Sequence, residues 1–220
     1  MSTVGPIQIP RNLLFRYRFK CNRINKIGST FDSFPESNQV PMLGRLEGQS
    51  EYAKLRCGWN DETFAVAFKI SSKKQALWCR PNQPLESDGV QFWIDTRDTH
   101  SVHRATRYCH WFVALPTMTG GKIAPACAML KINRAREDSP TLNRMKTTAH
   151  ASVSSDGYEI VVHVPSALLN GWNPSEQPTI GFFAAVVDRE LGWNTLSLGP
   201  ELPIAEDPSL WCSLQLDQRG

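Results

Sequence analysis

The chain lacks nearly every feature that announces a particular chemistry. No window of its 220 residues approaches the ~20 apolar residues of a membrane-crossing helix. The N-terminus, MSTVGPIQIPRNLLFRYRF, holds no apolar run of signal-peptide length. These absences predict no membrane partner and a cytoplasmic location for the chain as given, with a removed leader left open. No N-x-S/T sequon occurs, because Asn173-Pro174-Ser175 carries proline at its centre. Six cysteines (Cys21, Cys57, Cys79, Cys109, Cys127, Cys212) are widely spaced without a C-x-x-C pair, which excludes a zinc ribbon or thioredoxin motif. Several alternate with apolar residues, as in Leu210, Cys212, Leu214, and read as buried reduced thiols.

Catalytic signatures are missing too. There is no G-x-S-x-G elbow, no H-E-x-x-H and no Walker loop. Carboxylates such as Glu86, Asp95 and Glu159 could be paired for glycoside hydrolysis, but nothing singles out one pair. No enzyme is expected. Formal charge is only +3, and the densest basic stretch, Arg97 to Arg107, is broken by Asp98 and neutral residues. Nucleic-acid binding calls for a basic stripe, so no nucleic-acid partner is expected.

What is abundant is period-two alternation. Phe15, Tyr17 and Phe19 alternate with Arg16, Arg18 and Lys20; Phe64, Val66, Phe68 and Ile70 form a second run; Val90, Phe92 and Ile94 a third; Tyr158, Ile160, Val162 and Val164 a fourth. Such alternation sends side chains to two opposite faces of a strand. Turn signals separate the runs at Asn60-Asp61, Gly120-Gly121, Asp156-Gly157 and Asn170-Gly171. Two hairpins are predicted, 52–59 with 63–70 and 146–154 with 158–164, and further strands at 106–115, 126–132, 179–187 and 210–216. Helical periodicity is confined to Pro165–Leu169, stopped by Gly171. The fold class is therefore all-β: an antiparallel β-sandwich or jelly roll with at most one or two short helical turns, one domain over residues 1–220. Segments 27–50 and 72–87 are long loops, a length that is often functional.

Five stretches in order resemble family 9 carbohydrate-binding modules. The hairpin Ala53–Ile70, with Trp59-Asn60-Asp61-Glu62 at its turn, is similar to the family's opening hairpin. Glu86–Asp95 (ESDGVQFWID) resembles its "D-s-V-e-l-f-i-D" strand, and Tyr158–Leu169 (YEIVVHVPSALL) its "Y-t-v-e-i-a-I-P-w-s-a-L" passage. Ile180-Gly181-Phe182 with Val187-Asp188, then Asp207-Pro208-Ser209-Leu210-Trp211, complete a likeness over residues 50–217. A wider likeness is to DOMON-like sandwiches, which bind sugars or haem.

The resemblance implies a non-catalytic module, without a cofactor, for a carbohydrate or similar polyol. Sugar-binding members clamp a sugar between two tryptophans while polar side chains of neighbouring strands meet its hydroxyls. The first tryptophan belongs where this chain has Pro84-Leu85-Glu86; Trp78 lies upstream and serves only if its loop folds back. Gln91 replaces the strand's acid, and Trp193 lies in the loop of the second tryptophan. Trp93, on the polar side of its strand, is the tryptophan expected to be exposed, and Arg107 or His110 enters the neighbouring strand. The expected site is the concave face or its rim, formed by Gln91, Trp93, Arg107, His110, Trp193 and Trp78. The alternative is a structural or protein-interaction sandwich whose face meets a protein partner.

The polar segment Asp95–His110 holds three of the five histidines. His100, His103 and His110 could suit zinc or copper, but their spacing matches no metal motif. The simpler reading is an inter-strand loop whose Arg and Asp pair with each other. Met42, Met118, Met129 and Met145 could serve haem or fill the core.

Overall fold

The computed structural model describes residues 17–140 and 146–218; Phe15, Arg16 and Met145 lie outside them. The strands are β1 (Arg18–Asn22), β2 (Gln39–Val40), β3 (Ala53–Trp59), β4 (Thr63–Ile70), β5 (Gly89–Asp95), β6 (Cys109–Leu115), β7 (Met118–Thr119), β8 (Lys122–Ile123), β9 (Ala126–Leu130), β10 (Thr148–Val153), β11 (Tyr158–Pro165), β12 (Thr179–Asp188), β13 (Gly192–Thr195) and β14 (Cys212–Asp217). One sheet runs β1-β14-β12-β5-β6-β9, with β13 also on β12; the other runs β10-β11-β4-β3-β2. All of these pairs are antiparallel except β1 with β14. Helical structure among the described residues is limited to short 3-10 turns, including Ser166–Leu168 where the sequence placed its one helical stretch.

The two expected hairpins form, with Ala53 opposite Ile70 in one and Thr148 opposite His163 in the other. Asn60 Oδ1 accepts from the Glu62 and Thr63 amides, which fixes the tight turn between β3 and β4. Phe64, Val66, Phe68 and Ile70 of β4 then face Phe92, Phe112 and Phe182 of the opposite sheet in one continuous core. Phe64 meets Phe182 edge-on at 6.0 Å across the interface.

Alternation predicts one buried face per strand, yet β5, β6 and most of β12 are buried on both. Their second face carries Gln91, Trp93, Trp111, Val113, Phe183 and Ala185, all between 0% and 9% exposed. Chain from outside the sheet must lie over it. Residues 196–211 leave the sheet beside β12, where the Leu196 amide donates to Ala184 O, and return as β14. Midway, Glu206 Oε1 accepts from Asn133 Nδ2 at 2.6 Å, just beyond β9 on the far side of β5 and β6. Three strand spacings, about 14 Å, separate β12 from β9. The segment is therefore a strap across the face, and its Leu198, Ile204 and Trp211 are buried in the same apolar cluster. The other sheet has a smaller cover: Phe31 and Phe34, from loop 27–50, pack on Ala65, Ala67 and Val161.

Candidate functional site

The six residues singled out in the sequence do not meet. Gln91 and Trp93 lie on the strapped face, at 5% and 1% exposure. Trp93 stacks on Trp111 at 5.6 Å and meets Phe183 edge-on at 5.8 Å. The expectation that Trp93 is exposed is thus corrected: the strap turns the polar side of its strand into core. His110 faces the opposite way, because it pairs with Ile94 and so shares the parity of Phe112 rather than Trp111. Its Nε2 accepts the Asn170 amide, and burial lowers its pKa to about 4. Arg107 is exposed, over the Tyr108 ring and 3.7 Å from Glu137. It precedes β6 at the Asp95 end, about 20 Å along β5 from the Gly89 end.

At that Gly89 end a buried ion cluster ties two loops together. Lys73 Nζ lies 2.7 Å from Asp188 Oδ2 and 3.2 Å from Asp88 Oδ2, with side chains 4%, 0% and 1% exposed. Glu190 Oε2 is 3.8 Å away. Burial works against the ammonium, but the bonds and charges of Asp188 and then Asp88 outweigh it, so the Lys73 pKa is raised. The carboxylates spend their remaining oxygens on backbone. Asp88 accepts from the Trp78 and Arg189 amides, Asp188 from Glu190 and Leu191, and Glu190 from Lys74 and Gln75. Asp88 and Asp188 thereby hold turns and strand ends, and so does Asp95, which accepts from the Arg97 and Thr99 amides.

This knot fixes what faces solvent. Trp78 and Trp193 are 38% and 36% exposed. Trp193 pairs with Val187, which pairs with Gly89, next to the Asp88 that holds Trp78. Loop 72–87 has folded back, so both tryptophans come to one end of the sandwich. Beside Trp78 lies a cleft of about 140 Å³ lined by Lys73, Gln75, Asp88, Arg189 and Glu190. The guanidiniums of Arg80 and Arg189 each lie over the Trp78 ring, 4.3 Å from its centroid.

Comparison with solved structures gives the relationship of this scaffold. A family 9 carbohydrate-binding module from Caldicellulosiruptor kristjanssonii in complex with cellotriose aligns at TM-score 0.63 and 13% identity, over 93% of this chain and 95% of that one. The fold is that of a family 9 module. A family 9 module from that organism in complex with glucose aligns at TM-score 0.60 and 12% identity, over 93% and 97%. A Bacteroides uniformis protein aligns at TM-score 0.60 and 10% identity, over 92% and 100%. No protein-family model matches the chain, and no curated protein does. The DOMON-like relationship has no counterpart in these three structures.

Against the family 9 scaffold, the polar segment Asp95–His110 resolves into separate local contacts. His100 Nε2 is 3.0 Å from Asp98, His103 Nδ1 is 3.2 Å from Asp207, and His110 points into the core. Among the described residues no three His, Cys, Asp or Glu are grouped to hold a metal. The loop's arginines do not form the expected internal Arg–Asp pairs: Arg104 donates to Arg134 O, Arg107 approaches Glu137, and Arg97 lies over the Tyr108 ring. Met42 is core, Met129 packs against it, and Met118 is 53% exposed on β7. Arg80, Arg189 and Lys73 were not singled out from the sequence. A lysine just after a strand, with acids at two other strand ends, was the only signal for the knot.

Proposed function

We propose that this chain is a non-catalytic binding module for a carbohydrate, with its site at the Trp78–Trp193 end rather than on the sheet face. One observation carries this: two exposed tryptophans, Trp78 from loop 72–87 tied to a buried ion cluster and Trp193 from β13, come to one end of the sandwich beside a cleft. Trp193, exposed on a strand, suits the apolar face of a pyranose, and the polar groups around Trp78 suit its hydroxyls. The likeness to modules in complex with cellotriose and glucose supports the reading. A cleft of about 140 Å³ fits one terminal sugar residue rather than a buried chain. Of the residues first singled out, Trp78 and Trp193 remain in the proposed site.

Calorimetric titration with mono- and oligosaccharides tests this, together with Trp193→Ala. Saturable binding that Trp193→Ala weakens at least tenfold is the expected result. A blank across a broad glycan panel overturns it. The six free thiols suit a reducing compartment, where we place the protein.

A further inference from the structure

The neutral-sugar clamp does not fit Trp78 as it stands. Both guanidiniums sit over its ring at stacking distance, so the aromatic surface is engaged by arginine. What this platform offers to solvent is the N–H edges of Arg80 and Arg189. Both residues are exposed, and neither has a carboxylate within 4 Å among the described residues. Among the described residues the Arg80 guanidinium makes one hydrogen bond, to Gln83 Oε1. A guanidinium held flat on a ring is pre-organised for two-point recognition of a planar or tetrahedral anion.

The nearby acids do not cancel this. Counting Lys73, Lys74, Arg80 and Arg189 against Asp88, Asp188 and Glu190 gives +4 and −3, close to neutral. Position breaks the tie. All three acids lean on Lys73 and accept backbone amides, whereas both arginines and Lys74 are exposed. An incoming ligand meets the cations first.

We propose that the Trp78 end recognises an anionic sugar, one whose carboxylate or sulfate is met by the exposed N–H edges of Arg80 and Arg189 while Trp193 contacts the ring. This rests on the carbohydrate reading above and names its substrate class. The ligands of the two family 9 complexes, cellotriose and glucose, are uncharged, so the arginine platform marks a departure.

The test is titration of the full chain with D-glucuronate, D-glucose 6-sulfate, D-glucose and sodium sulfate at low and at 0.5 M sodium chloride. A charged sugar is expected to bind at least tenfold more tightly than glucose at low salt, with the advantage collapsing at high salt. Glucuronate against glucose 6-sulfate tells which anion is read. R80Q and R189Q should each remove the advantage of the charged sugar over glucose, with the thermal midpoint unchanged because both side chains are exposed; a tenfold advantage that survives in both variants overturns the proposal. Glucose binding as tightly as both charged sugars overturns the anion proposal and leaves the carbohydrate reading standing. Sodium sulfate binding as tightly as glucose 6-sulfate overturns it as well, since the sugar then contributes nothing. If no saccharide binds, both readings fall.

Discussion

Trp93 stacks on Trp111 across β5 and β6, with ring planes 14° apart, beneath a strap that closes the sheet face. The pair belongs to the core although its parity is opposite to that of Phe92 and Phe112. Trp93→Ala should destabilise the protein by about 3–5 kcal/mol, the usual range for truncating a buried aromatic. Trp193→Ala, at an exposed position, should cost less than about 1 kcal/mol. Urea titrations of both variants, followed by circular dichroism, check this. Equal losses for the two would contradict the strapped arrangement.

Lys73→Met tests the knot. It leaves Asp88 and Asp188 buried without their counter-ion, and breaking such a pair costs about 3–5 kcal/mol. The same change should loosen loop 72–87, whose Trp78 amide rests on Asp88. A lower urea midpoint together with stronger acrylamide quenching of tryptophan fluorescence is the expected pair of results.

His110 sets an acid limit on stability. In the unfolded chain its imidazole takes a proton near pH 6.5, while in the folded protein burial delays that to about 4. Between those values the unfolded state binds more protons, so stability is complete above pH 6.5 and falls as pH drops toward 4. The loss between pH 7 and pH 5 should be about 2 kcal/mol from this group. His163, also lowered by burial, adds in the same direction. Urea midpoints across pH 4.5–7.5 should show the decline, and His110→Gln should flatten most of it.

Thiol titration discriminates core from surface. Cys21, Cys57, Cys109 and Cys212 are buried, while Cys79 and Cys127 are partly exposed. Burial raises the Cys79 thiol to about 12 and Cys127 to about 11, so even these react slowly at neutral pH. A chromogenic disulfide reagent should find no more than two thiols in the native protein and six in urea.

The sequence was most legible where large apolar side chains alternate with small or charged ones. Strand β4 does so, and its pairing with β3 and β11 joins the two predicted hairpins in one sheet. It was least legible at Gln91 and Trp93. Alternation says which side chains share a face, but not whether a distant segment covers that face. The strap could not be foreseen because residues 196–211 read locally as Pro- and Gly-containing loop. Among the site residues, Trp78 and Trp193 were reachable through the family resemblance. Arg80 and Arg189 were not, since their association exists only after the Lys73 cluster draws two loops together.

Strands β1 and β14 lie side by side in the same direction, Arg18 opposite Ser213 through to Asn22 opposite Asp217. Tension applied to the chain beyond them pulls β1 from its first residue and β14 from its last, in opposite senses along a shared axis. The bonds between them then bear the load in shear, all together, instead of opening one by one as in an unzipping hairpin. The pair is placed to act as a mechanical clamp, and a stretched molecule should hold until that whole ladder gives way at once.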